Sequence, residues 1–221
     1  MSKNIITING PRLEPKEQIN KLVIFLHGYG SNGNDLISLT ESIYKSLPHT
    51  AFVSPNAPFA CDGSPSGYEW FPLYSLSYAE KLKGTQMAAP HLNAFIDAQK
   101  AKYGIEDKDI ALFGFSQGTM MALYIAPRRK QALAAVVGFS GALTAIDELA
   151  TETTAKPPIL LVHGTQDDVV PYSSLAEAEQ GLSKNGFDVI THSSQGTAHG
   201  IAPDGINMAR DFLVKHLISD S

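Results

Sequence analysis

The chain has 221 residues, 43% of them hydrophobic, and a formal net charge of −5 at pH 7. That length and apolar fraction suit one α/β domain spanning residues 1–221, with enough core to cover a sheet on both faces. The negative balance, with no basic stripe, excludes nucleic acid and anionic membranes as expected partners, and the lack of an ~18-residue apolar run or an apolar leader predicts a cytoplasmic protein without stable membrane insertion.

In chain order, residues 5–8 read as a short edge strand. Residues 21–26 read as a central strand, continuously apolar and so buried on both faces. A glycine-rich turn follows, His27-Gly28-Tyr29-Gly30-Ser31-Asn32-Gly33. A helix is expected over about 35–47, closed by Pro48, and then a strand over 51–54, stopped by Pro55. Residues 55–83 break this rhythm with Pro55, Pro58, Pro65 and Pro72 among Phe59, Tyr68, Trp70, Phe71, Tyr74 and Tyr78. A stretch longer than ~12–15 residues without structure of its own is often functional, and an apolar one beside an active edge would form an acyl-binding wall. The competing reading has the same aromatics pin a connector to the core. The single cysteine, Cys61, lies in this loop with neither a cation nor a helix start beside it and reads as incidental.

A helix is expected over 84–103, with Pro90 near its start and Gly104 as its cap. A strand over 109–113 leads into a helix running to Ala126-Pro127, and strands follow over 132–139 and 159–162. A helix over 173–184, a strand over 187–191 and a last helix capped by Asp204 complete the chain. That helix sets Ile206, Ala209, Leu213 and Leu217 on one face. Strands separated by helices imply parallel crossovers, a mostly parallel central sheet and helices on both faces. No insertion is large enough for a separate cap domain.

The run Gly114-Phe115-Ser116-Gln117-Gly118 stands between the 109–113 strand and a Met/Ala/Leu helix. That is the setting of a nucleophile elbow, where a sharp turn lifts the serine hydroxyl above the sheet. The backbone N–H of Gln117, at the helix start, would face a developing oxyanion. The bland alternative is a Gly/Ser turn between elements.

A serine needs a base, and the base needs an acid. In hydrolases on an open parallel sheet, acid and then histidine follow the serine along the chain. Carboxylates stand in the loop after residues 159–162, in His163-Gly164-Thr165-Gln166-Asp167-Asp168, and a later loop ends Gly196-Thr197-Ala198-His199-Gly200. Of the seven histidines, His27 and His163 each close a strand before a glycine and read as hydrogen-bonders at tight turns. His91 and His216 fall in helical patterns, His49 precedes a strand, and His192 is the nearest rival to His199 as base. No cluster has metal-ligand spacing, so neither a metal nor a cofactor is expected.

The turn after residues 21–26 has two readings. It brings a second N–H, that of Tyr29, beside Ser116, or it cradles phosphate. The second lacks both the acidic residue of a dinucleotide site and the Gly-Lys-Ser/Thr ending of a triphosphate site.

Four blocks, Leu26-His27-Gly28-Tyr29-Gly30, Gly114-Phe115-Ser116-Gln117-Gly118, His163-Gly164-x-x-Asp167-x-x-Val170-Pro171 and Gly196-x-x-His199, resemble the carboxylesterase/acyl-protein thioesterase (phospholipase/carboxylesterase) family, in its order and over about residues 22–217. The resemblance implies an α/β-hydrolase fold, a Ser116–Asp167–His199 triad, oxyanion donors at Tyr29 and Gln117, and a substrate-binding wall at Trp70 and Phe71. Three residues depart from the family pattern: Thr119 for glycine, Pro72 for aspartate and Tyr29 for leucine. The implied activity is a serine carboxylesterase acting on a small-molecule ester through an acyl-enzyme, and some relatives are homodimers. The alternatives are an acyl-protein thioesterase or lysophospholipase, or a non-catalytic ligand-binding protein on the same fold.

Overall fold

The computed structural model of the chain describes residues 4–75 and 77–218. In chain order its elements are β1 (Arg12–Leu13), β2 (Lys21–Leu26), α1 (Gly33–Ile37), β3 (Thr50–Val53), β4 (Phe59–Ala60), β5 (Tyr68–Glu69) and α2 (Tyr78–Tyr103). Then come β6 (Ile110–Phe115), α3 (Gln117–Ile125), β7 (Ala135–Phe139), α4 (Leu149–Glu152), β8 (Ile159–Gly164), α5 (Ser173–Lys184), β9 (Val189–Ser194) and α6 (Pro203–Ile218). Among the described residues seven strands form one sheet in the order β1-β3-β2-β6-β7-β8-β9, while β4 and β5 pair apart. Only β1 runs antiparallel in the large sheet.

Continuously apolar strands are needed because both faces are covered. On β2, Leu22, Ile24 and Leu26 join the core under α2, α3 and α5, whereas Val23 and Phe25 join the core under α1 and α6. On that second face Phe113 packs tilted against Phe25 and stacked on Phe139 across three adjacent strands, at centroid separations of 5.0 and 5.1 Å. Such aromatic pairs add ~0.5–1.5 kcal/mol each beyond burial. Among the described residues no helix is long and apolar enough to cross a membrane.

Several elements differ from the sequence expectation. Residues 5–8 form no strand. The free edge of β3 is taken by Arg12–Leu13, and on past β3 the Ser54 and Asn56 N–H groups donate to Pro11 O and Asn9 O. Residues 5–8 lie instead by α2, where Ile6 N–H donates to His91 Nδ1 at 3.0 Å. The helix expected over 35–47 is a short α1, capped by Asn32, followed by two 3₁₀ turns. There Ser38 and Thr40 hydroxyls donate to Asp35 O and Ile37 O, competing with the helical ladder. The irregular loop is shorter than 55–83, because Ser77 caps α2 and starts it at Tyr78. Strand β7 begins at Ala135 rather than 132, and β9 is displaced to Val189–Ser194. Helix α6 begins at Pro203, so Asp204 lies within its first turn instead of capping it.

Chain order places β3 on one side of β2 and β6 to β9 on the other. The loops leaving the carboxyl ends of neighbouring β2 and β6 therefore flank the point where strand order reverses. In open α/β sheets that crevice is where ligands bind.

Candidate active site

Ser116 lies between β6 and α3 at φ 53° and ψ −117°, a region non-glycine residues rarely enter. Surrounding bonds hold it there: its N–H donates to Phe139 O at 2.8 Å and its carbonyl accepts from Met120 N–H at 3.2 Å. Thr119, in place of the expected glycine, donates from Oγ1 to the same Phe139 oxygen at 2.9 Å. A Cβ on Gly118 would run into the Leu26 carbonyl oxygen, so only glycine lets α3 start against the end of β2. Gln117 is the first residue of α3, where no earlier turn supplies an acceptor for its N–H.

The turn after β2 passes directly by this serine, since a Cβ built on Gly28 would lie 3.3 Å from Ser116 Cβ. Gly30 N–H donates to Tyr68 O and Ser31 N–H to Gly28 O, while the Tyr29 N–H has no acceptor among the described residues. His27 fixes the turn from below. Its Nε2 accepts from Ala57 N–H at 2.9 Å, so the proton sits on Nδ1, which donates to Gly28 O at 2.7 Å. Burial pushes the His27 imidazole below its ordinary pKa, against smaller opposing contributions from Gly28 O and Asp35.

His199 and Asp167 meet at the far side of the elbow. His199 Nδ1 lies 2.8 Å from Asp167 Oδ2, and Asp167 Oδ1 accepts from Val169 and Val170 N–H at 3.0 and 2.9 Å. Burial acts to raise the Asp167 pKa, but the bonds from His199, Val170 and Val169 outweigh it and hold the carboxyl below its ordinary value. Asp168 is exposed. The His199 ring packs on Phe115, the residue before the serine, with centroids 4.9 Å apart. No hydrogen bond joins Ser116 Oγ to His199 in this structure. Such links are often long in unliganded sites and tighten when substrate binds.

His192, His49 and His216 stand apart from this constellation. His192 Nε2 lies 2.7 Å from Asp204 Oδ2, His49 Nδ1 lies 3.2 Å from Gln18 O, and His216 packs on Phe212.

Trp70 and Phe71, expected to wall a substrate groove, are both 0% exposed and belong to the core beneath α2 and α3. Trp70 Nε1 donates to His27 O at 3.0 Å, and its N–H donates to Gln117 Oε1 at 2.8 Å. Gln117 Nε2 returns a bond to Phe71 O at 2.7 Å. In this structure these two buried residues hold the His27 carbonyl and the Gln117 side chain and line no groove. The strongly exposed aromatic of the loop is Tyr74, at 85%. The Gln117 carboxamide was legible as a motif residue, but its use as a clamp was not.

A sequence model of the phospholipase/carboxylesterase family matches residues 12–217. Acyl-protein thioesterase 1 of Schizosaccharomyces pombe is 30% identical over 206 residues, covering 89% of this chain and 91% of that protein. Among solved structures, esterase PE8 superposes with a TM-score of 0.93 at 44% identity, over 96% of this chain and all (100%) of the other. Acyl-protein thioesterase 2 of Zea mays gives 0.76 at 26% identity, over 94% of this chain and 98% of its own.

Proposed function

Since the chain belongs to the phospholipase/carboxylesterase family of α/β-hydrolases and is an ester-hydrolysing serine hydrolase, we propose that Ser116, His199 and Asp167 carry the reaction. Ser116 Oγ attacks the ester carbonyl while His199 Nε2 takes its proton. Asp167, bonded to His199 Nδ1, holds the ring with Nε2 toward the serine and stabilises its cation. The tetrahedral oxyanion is met by the N–H groups of Tyr29 and Gln117, each donor worth ~3–4 kcal/mol in the transition state. His199 then protonates the leaving alcohol, and water enters by the same route to release the acid from the acyl-enzyme.

The observation that carries this reading is the 2.8 Å Asp167–His199 contact beside the strained Ser116. One domain over residues 1–221 and residence in the cytoplasm belong to the same proposal. A fluorophosphonate probe should label the protein at Ser116, and Ser116→Ala should abolish both label and hydrolysis. Appreciable hydrolysis by purified Ser116→Ala would overturn the assignment, and an unlabelled, inactive parent would favour a ligand-binding protein.

A second reading, thioester hydrolysis, draws support from the relatives named acyl-protein thioesterase. A chain-length series of p-nitrophenyl esters run beside a long-chain acyl-CoA separates the two.

A further inference from the structure

We propose that His163 is a positioning residue of this reaction, holding the acid-bearing loop so that Asp167 meets His199; the proposal rests on the Ser116–Asp167–His199 reading above. His163 is 2% exposed and is the next-to-last residue of β8, a strand paired on both sides. Its Nε2 lies 3.0 Å from Val170 O and 3.3 Å from Asp167 Oδ2. Both neighbours are acceptors, so Nε2 carries the ring proton and the imidazole acts as a donor.

This closes a small circuit. His163 holds the Val170 carbonyl, the Val170 N–H holds Asp167 Oδ1 at 2.9 Å, and Asp167 Oδ2 lies between His163 and His199. Without the His163 donor, the carbonyl of Val170 would be buried and unpaired, and the residues carrying Asp167 would be held from one side only. The neighbour of His163 matters in the same way. A Cβ on Gly164 would run into the carbonyl oxygens of Thr197 and Ala198, so glycine lets the His199 loop lie on the end of β8. Backbone bonds complete the registration: Gln166 N–H donates to Thr197 O at 2.9 Å, and Gly196 N–H to Thr165 Oγ1 at 3.0 Å. The His163-Gly164 pair thus sets both the acid loop and the base loop from one rigid strand.

A buried histidine that merely packs is the competing view, and its edge-on contact with Tyr172, 6.1 Å between centroids, would survive in a phenylalanine. His163→Phe keeps that packing and removes the donor, whereas His163→Gln keeps an N–H donor of similar reach. The phenylalanine variant should lose on the order of tenfold to a hundredfold in kcat, by analogy with the loss when the partner that orients a metal ligand is removed. Its KM should hold within about twofold. The glutamine variant should recover most of that loss. In an Asp167→Asn background, His163→Phe should cost little more, because it acts through the carboxylate that is already gone.

Equal fold-losses in the two backgrounds, unchanged kcat in a folded His163→Phe, or failure of glutamine to restore activity would each overturn the proposal. If His163→Phe does not fold, His163→Met takes its place in the same cycle, and if no apolar replacement folds, the role is structural and the proposal falls. Ser116→Ala measured alongside keeps the two readings apart: its activity would sink the triad, whereas an inactive Ser116→Ala with fully active His163 variants sinks only this inference.

Discussion

Trp70 and His27 are joined by a hydrogen bond of 3.0 Å from the indole Nε1 to the His27 carbonyl oxygen. The bond ties the loop after β3 to the turn that follows β2. Because Trp70 N–H also reaches the Gln117 side chain at Oε1, one buried residue holds the turn that carries Tyr29 and the side chain of Gln117. An aromatic read from sequence as part of a substrate wall is therefore a strut.

A strut and a wall respond differently to truncation. Trp70→Ala should destabilise the fold by ~3–5 kcal/mol, as large-to-small changes in a packed core do. Any variant that remains folded should lose activity equally on acetyl and octanoyl esters. A near-normal melting temperature with a loss confined to octanoyl esters would return Trp70 to the groove.

His27 makes the turn acid-sensitive. Burial lowers its folded-state pKa, so the unfolded chain binds the proton more readily. Its contribution to stability is complete above the ordinary imidazole value of ~6.5 and is lost progressively as pH falls below it. Protonation also removes the acceptor for Ala57 N–H. Melting curves between about pH 5 and 8, roughly the imidazole range, should show a slope in the parent that flattens in His27→Gln. An unchanged slope in the variant would assign the effect to other groups.

The two adjacent carboxylates should behave very differently. Asp167→Asn leaves His199 without its orienting acceptor, and kcat should fall by about 10⁴. Asp168→Asn alters an exposed side chain and should be mild. Steady-state kinetics on both variants tests the register of the loop, and a larger loss at Asp168 would show it to be wrong.

Thr119 adds a bond that glycine cannot make. Thr119→Gly removes the donor to Phe139 O, costing about 1 kcal/mol, and trades threonine for glycine inside α3 at roughly a few tenths of a kcal/mol more. A melting temperature lowered by several degrees, with kcat reduced less than about tenfold, is the expected result. Unchanged stability would mean that the Phe139 carbonyl is held by Ser116 N–H alone.

Much of the site was legible because each piece obeys a local rule. The elbow needs glycine where α3 meets the end of β2, a strand before it and a helix start after it, and all are written within residues 110–125. The proposed acid follows an apolar run that reads as a buried strand, and the proposed base follows a possible strand over 187–191, so both are expected at one edge of the sheet. Alternation of apolar runs and amphipathic stretches likewise determined the layers, the helices on both faces and the limits of α5, since burial periodicity is a property of the segment itself. The choice of Asp167 over Asp168 needed the spacing to Val170-Pro171, and the backbone N–H of Val170 on Asp167 gives that spacing a physical basis.

What the sequence left undetermined depends on partners far along the chain. Trp70 is buried because Gln117, 47 positions away, satisfies its backbone, and nothing within the 55–77 loop encodes that partner. Residues 5–8 are as apolar as an edge strand, yet β3 has one free edge and residues 12–13 occupy it. His163 carries no local mark that separates a packing ring from one aimed at Asp167; the difference lies in which carbonyl and carboxylate the closed loop brings to Nε2. Local sequence sets backbone preference and periodic burial, whereas the partners of a buried polar group are decided only when distant segments close around it and must satisfy every donor and acceptor they remove from water.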